Sequence, residues 1–199
     1  ALTLLNRLIE LQPTMERHSL CGSAYKRLAM IERLAGRQAQ AQAALREMQQ
    51  AYAEAERLGA EAGLADWYYP AMNRLAGVVA LGVAPGRKGE AAGPGDLTPE
   101  RWSAVRQALI AKTRDDPDFF SVVGLTELRL LEAVSNGGLS TACAGIAAEF
   151  DALNARMPGT PKWKSVLEQL DFVLAHLLQH GSRAERDAAV TLTAHVEGY

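Results

Sequence analysis

Polar and aromatic side chains recur at helical spacing on three stretches of the sequence, opposite the apolar faces that these helices are expected to bury. Hydroxyl and amide groups suit a ribose, lysine and arginine suit phosphate, and an aromatic ring can stack on a base. The pattern therefore predicts a surface that binds a nucleotide-like small molecule. The candidates are Ser19, Ser23, Lys26 and Arg27 on one helix, Tyr69 and Asn73 on a second, and Ser165 and Gln169 on a third.

The same inventory of side chains has two other interpretations. It would suit the terminus of a bound peptide equally well, because hydroxyls, amides and cations also bind backbone and carboxylate groups. The plainest alternative is structural. In that case Lys26 and Arg27 only hydrate the surface or pair with acids, and Tyr69 packs between helices.

A weak internal repeat indicates how these residues are positioned. The stretch 18–29 is echoed by 66–76, so that Arg27 aligns with Arg74 and Ala29 with Ala76. Two helices that share such a core, about one helical hairpin apart, are typical of a stacked helical repeat. Their separation exceeds the roughly 34 residues of a standard tetratricopeptide unit, which implies a lengthened version.

The remaining elements are also helices. Periodicity, caps and breakers predict an all-α, TPR-like α-solenoid of about nine helices stacked as helical hairpins, and no convincing strand. On the second helix we expect Leu20, Ala24, Leu28, Ile31 and Leu34 to form the apolar face. The glycines and prolines of 83–98 predict a flexible loop. The predicted helices cover 2–11, 15–35, 38–58, 67–81, 98–114, 119–134, 139–157, 163–178 and 183–196.

Composition narrows the classes of function. A net charge of −2 provides no basic field for nucleic acid, and no apolar run is long enough to cross a membrane. The two cysteines, Cys21 and Cys143, form no disulfide framework, which favours a reducing, cytoplasmic compartment. The length suits one domain, residues 1–199, and the alanine at the first position, in place of methionine, leads us to expect a piece of a longer chain.

Catalytic patterns are weak in this sequence. None of the four histidines has the spacing of a metal site, and no hydrolase, kinase or dinucleotide motif is present, so we expect no metal, no cofactor and no enzyme. His18 and Cys21 lie one helical turn apart, which makes a thiol–imidazole pair conceivable. The favoured interpretation is a buried cysteine beside a surface histidine, because no third orienting group is evident.

Four stretches, in this order, resemble the bacterial tetratricopeptide-repeat sensor domain called TPR-S. The resemblance extends over roughly residues 15 to 175. In this chain Cys21 stands where a bulkier residue is more usual, and the Gly-rich loop looks like an expanded linker. The stretches are 20–29 (LCGSAYKRLA), 68–76 (YYPAMNRLA), 116–120 (DPDFF) and 163–172 (WKSVLEQLDF).

The resemblance implies a sensing role. Such domains are usually C-terminal modules beside caspase-like or related effectors in antiviral conflict systems, so the resemblance implies that residues 1–199 are a C-terminal module. Some of these systems use nucleotide second messengers similar to cyclic ADP-ribose. It therefore implies a nucleotide-derived signal as the ligand and a linked caspase-like protease as the partner. The motif positions that would contact the signal are the eight candidates named above. A non-catalytic scaffold that holds a partner's peptide is the alternative.

Overall fold

The computed structural model describes residues 2–82 and 97–199. This part of the chain is all-α: it contains nine α-helices, one short 3₁₀ turn and no strand, as predicted. The 3₁₀ turn is Ala65–Trp67. The helices are α1 (Leu2–Leu11), α2 (Met15–Leu34), α3 (Gln38–Glu61), α4 (Tyr68–Ala80), α5 (Pro99–Asp115), α6 (Phe119–Ser135), α7 (Leu139–Arg156), α8 (Trp163–His180) and α9 (Arg183–Glu197).

The described residues form two compact units. The N-terminal unit comprises residues 2–81 and 97–108, and the C-terminal unit comprises residue 82 and 109–199. The prediction that residues 1–199 act as one domain stays a prediction. The loop predicted at 83–98 lies outside the described residues except for its last two positions. There Thr98 begins α5, since its Oγ1 accepts a hydrogen bond of 3.3 Å from the backbone N–H of Arg101.

Helical hairpins build the N-terminal unit. A turn of three residues joins α2 to α3, so the two helices run antiparallel, and they share the most extensive packing in the unit. The face of α3 that packs sets small side chains, Ala41, Ala44 and Ala55, among the larger Met48 and Tyr52, all of them buried. Small residues allow the neighbouring helices α2 and α4 to approach α3 closely.

The C-terminal unit has a more conventional apolar core. Its helices α6, α7, α8 and α9 pack on one another and bury large side chains completely, among them Leu128, Ile146, Phe150 and Leu170. Its cysteine, Cys143, is free and buried. Two of its helices begin with side-chain caps. Asp118 and Ser121 form a reciprocal capping box at α6, and Ser182 accepts from the N–H of Glu185 at α9.

The predicted apolar face of α2 is wrong. Leu20, Ile31 and Leu34 are 50%, 57% and 89% exposed, whereas Ser19 and Gly22 are buried with Ala29. The reason is steric, because the closely packed partner α3 leaves room only for small side chains on α2. Large apolar residues therefore lie on the outer face of this helix.

Two smaller expectations also fail. The sequence predicts Asp66 as the N-cap of a helix that starts at Trp67, but the chain forms the 3₁₀ turn there and α4 begins at Tyr68 without a side-chain cap. On α8, Gln169 is buried rather than placed on an outer stripe. Among the helices of the described ranges, none combines the length and apolar character that a membrane crossing requires. A cytoplasmic location stays a prediction.

Candidate functional site

A buried tyrosine, Tyr52, lies at the centre of the N-terminal unit. It projects from α3 against α2, where a Cβ atom added at Gly22 would stand 2.7 Å from its ring carbon Cε2. Its hydroxyl is hydrogen-bonded to the Oγ of Ser23 at 2.9 Å. On the α4 side, Tyr69 meets the ring edge to face, with centroids 6.4 Å apart. Three helices thus contribute to one polar and aromatic cluster.

The phenol of Tyr52 stays protonated. Burial raises its pKa well above the ordinary value, and neighbouring Tyr69 raises it further. The hydrogen bond with Ser23 and the positive charge of Arg27 oppose this rise. A neutral hydroxyl can both donate and accept a hydrogen bond, so Tyr52 orients the groups around it without adding charge.

The structure brings together part of the predicted set. Ser23 and Tyr69 contact Tyr52 directly, and exposed Arg27 acts on it electrostatically. Tyr69 is 40% exposed, which leaves ring surface for stacking. One turn along α4, Asn73 is half-buried and donates from Nδ2 to the carbonyl of Tyr69 at 3.0 Å.

The other predicted residues are placed differently. Lys26 is half-buried on α2. Ser19 is buried on α2, and its Oγ has no hydrogen-bond partner among the described residues. Ser165 is exposed on α8 and Gln169 is buried on the same helix, in the C-terminal unit. The Tyr52 cluster is built by the N-terminal unit alone, and the contribution of Ser165 and Gln169 to a binding site stays a prediction.

Sequence reasoning missed an ionic cluster beside Tyr52. Glu56, buried one turn further along α3, accepts hydrogen bonds at Oε2 from Arg74 of α4 at 3.4 Å and from Arg101 of α5. The sequence did contain a pattern that indicates this cluster, because Tyr52 and Glu56 are spaced i and i+4 on one face of a helix. The alignment of Arg27 with Arg74 pointed to the same place. The periodicity of helix 38–58 predicted Tyr52 only as one of its apolar core positions.

The comparison with protein families decides the class of this region. Residues 1–78 match the TPR-S family, described as Tetratricopeptide Repeats-Sensor. The predicted resemblance is confirmed over those residues, which include Ser23, Tyr52 and Tyr69. Comparisons with curated proteins and with solved structures each gave no match. The TPR-S match supports a sensor role in general.

A TPR-like sensor domain is generally non-catalytic. The environment of Cys21 fits this description, because burial raises the pKa of its thiol and Glu47 raises it further. Its Sγ donates to the Oδ1 of Asn6 at 3.6 Å. Burial lowers the pKa of His18, the residue one turn away, so imidazolium is disfavoured there. A reactive thiolate is therefore not favoured at this position. In the described parts of the chain, no histidine, cysteine and carboxylate side chains group as a metal site.

Proposed function

We propose that this chain is a ligand-sensing domain that binds a nucleotide-derived signal of the cyclic ADP-ribose type and activates a linked caspase-like effector. The observation that carries the proposal is the Tyr52 cluster, which lies wholly within the region matched to TPR-S. It combines an exposed aromatic ring, hydroxyl groups and a nearby guanidinium in one place. These are the groups that base, ribose and phosphate require.

The proposed signal stacks its base on Tyr69 and bonds its ribose hydroxyls to Ser23 and Asn73. Arg27 supplies positive charge at the exposed side of the cluster. Each contact uses a group that α2 or α4 already holds in position, so little ordering is needed on binding.

Activation follows from a shift between conformations. The proposed contacts lie on α2 and α4, which pack on either side of Tyr52 of α3, so a bound ligand favours the arrangement of these helices that fits it best. The linked effector responds if its contacts to the chain differ between the two arrangements. Proteolysis of a fluorogenic peptide, measured on the protein in which this chain is linked to its effector, should then rise when the signal is added.

Calorimetry tests the binding step. The full chain is titrated with cyclic ADP-ribose isomers, and we expect heat of binding that Tyr69→Ala weakens about tenfold or more, the order of one lost base–aromatic stack. Phe120→Ala is the matched control, because Phe120 is an aromatic of similar exposure, 43%, in the other unit. Circular dichroism verifies that both variants keep their helicity.

The alternative function is a scaffold that binds a partner's peptide. It is favoured by the exposed leucines and isoleucine on the outer face of α2, since exposed apolar side chains are common at protein interfaces. Absence of heat with every nucleotide, together with measurable binding of a peptide, would establish the scaffold and exclude the sensor.

A further inference from the structure

In the ionic cluster beside Tyr52, two arginines share one carboxylate. One oxygen, Oε2 of Glu56, accepts hydrogen bonds from guanidinium groups on two different helices, Arg74 on α4 and Arg101 on α5. All three side chains are largely buried, with exposures of 11%, 25% and 19%. Because both arginines bond the same oxygen, Glu56 does not give Arg101 the two-pronged acceptor that a guanidinium prefers.

The guanidinium of Arg101 is only partly hydrogen-bonded. It bonds Glu56 through Nη2, while its Nε is buried and has no hydrogen-bond partner among the described residues. The Nε and Nη2 groups form the edge of the guanidinium that normally binds two oxygens of one anion. Leaving a buried donor unpaired costs free energy, so this edge is suited to an anion that places one oxygen on Nε and another on Nη2.

The cluster lies next to the proposed site. Tyr52 and Glu56 are four residues apart on α3, so their side chains emerge from neighbouring turns of one face, with Cβ atoms about 5–6 Å apart. On α4, Arg74 lies little more than one turn beyond Tyr69. A small molecule that stacks on Tyr69 therefore has these arginines within the length of a nucleotide.

We propose that Arg74 and Arg101 bind the diphosphate group of a nucleotide signal, and that Glu56 holds the two arginines in place until the signal arrives. The inference rests on the proposed function and identifies the part of the ligand that this site recognises. The diphosphate replaces the Glu56 carboxylate as the partner of both guanidinium groups. Its oxygens can bind both arginines at once, and it completes the paired edge of Arg101.

The test uses the full chain titrated with cyclic ADP-ribose isomers and, separately, with inorganic pyrophosphate. Arg101→Gln should raise the Kd for both by about ten- to hundredfold, the range for a lost hydrogen bond to a charged group. Glu56→Gln should lower the Kd, because the competing carboxylate is removed. The matched control is Arg129→Gln, which removes an arginine paired to Glu149 in the C-terminal unit.

A second measurement keeps the test decisive if Arg101→Gln fails to fold. Arg101→Lys retains the charge but removes the two-pronged edge, so it should bind more weakly than the native chain. In Glu56→Gln, pyrophosphate should raise the Tm more than in the native chain, because the anion fills the position that the carboxylate left.

The outcomes separate this inference from the proposed function. If the nucleotide binds the native chain and Arg101→Gln and Arg101→Lys equally well, the diphosphate site is wrong and the sensor function stands. If no nucleotide binds but pyrophosphate does so in an Arg101-dependent manner, the anion site stands and the nucleotide ligand is wrong. If neither binds, both proposals are overturned.

Discussion

The two units place polar side chains in different parts of their interiors. In the N-terminal unit, a tyrosine hydroxyl and a carboxylate occupy the middle of α3, between helices that pack on both sides. In the C-terminal unit, two of the buried polar groups serve helix ends: Ser121 closes a capping box, and Glu185 accepts from the N–H and hydroxyl of Ser140 at the start of α7. The centre there is filled by Phe150 and its apolar neighbours.

This difference distinguishes buried polar groups that stabilise helix ends from buried polar groups that form a binding site. A cap satisfies backbone groups that every helix leaves open, so its burial contributes directly to folding. A tyrosine and a glutamate in the middle of a helix contact serve no backbone group, and burying them costs free energy unless other side chains bond them. Such groups are expected where a site overrides the preference for an apolar core.

The largest effect should come from the apolar core of the C-terminal unit. Phe150→Ala removes a fully buried ring that meets Trp163 edge to face, with centroids 6.3 Å apart. We expect the free energy of unfolding to fall by about 3–5 kcal/mol, as measured by urea denaturation. Phe120→Ala, at an exposed position, should lower it far less. Equal losses in the two variants would contradict the apolar-core description.

Gly22→Ala should disturb the N-terminal unit in a different way. The new methyl group would lie 2.7 Å from the ring of Tyr52, so that the ring or α2 must move. Overpacking of this kind costs about 1–3 kcal/mol. Gly138→Ala is the control, because the nearest atom to an added Cβ there is 3.9 Å away. A native-like Tm for Gly22→Ala would show that Tyr52 has room to move.

Tyr52→Phe tests whether the buried hydroxyl serves folding or binding. The change keeps the ring and removes the hydrogen bonds of the hydroxyl to Ser23 and to Tyr69, so stability should fall by about 0.5–1.5 kcal/mol for each. The hydroxyl also orients Ser23 and Tyr69, which the proposed ligand contacts. We therefore expect calorimetry to show a loss of nucleotide-binding free energy larger than this loss of stability. Unchanged affinity would assign the hydroxyl to structure alone.

The smallest expected effect is on the stability of the chain at acidic pH. Burial lowers the pKa of His18 below its ordinary value of 6.5, with Glu54 opposing the shift and Arg57 adding to it. The unfolded chain then takes up this proton more readily than the folded one. The contribution of His18 to stability is therefore present above pH 6.5 and is lost as the pH falls through the lowered value. Thermal melts from pH 7.5 to 5 should decline less steeply in His18→Gln.

Helix positions could be predicted from this sequence, because their signals are local. Thr14, Thr98, Asp118 and Ser182 all precede helices and cap them with side-chain oxygens. Each cap depends on residues within one turn, so no knowledge of the tertiary structure was needed. The starts of α3, α4, α7 and α8 carry no side-chain cap, and at α4 Asp66 lies in a 3₁₀ turn instead.

The faces of the helices could not be predicted as well. On α2, large apolar residues point outward and small ones inward, so periodicity of leucine and isoleucine indicated the wrong side. The deciding fact lies on another helix: α3 presents alanines and Tyr52, and only Gly22 and similar small residues fit against them. The pairing of Glu56 with Arg101 likewise joins residues far apart in sequence. No local pattern reports such a contact.

Each unit also contains one buried cysteine, whose reaction with a thiol reagent reports on local opening of that unit. Cys21 in the N-terminal unit and Cys143 in the C-terminal unit are free, are 4% and 9% exposed, and have pKa values raised by burial. A thiol reagent can label each of them only when its surroundings open transiently. Mass spectrometry of labelling rates therefore follows the opening of the two units separately in the native sequence. A signal bound at the Tyr52 cluster should slow labelling of Cys21 more than that of Cys143.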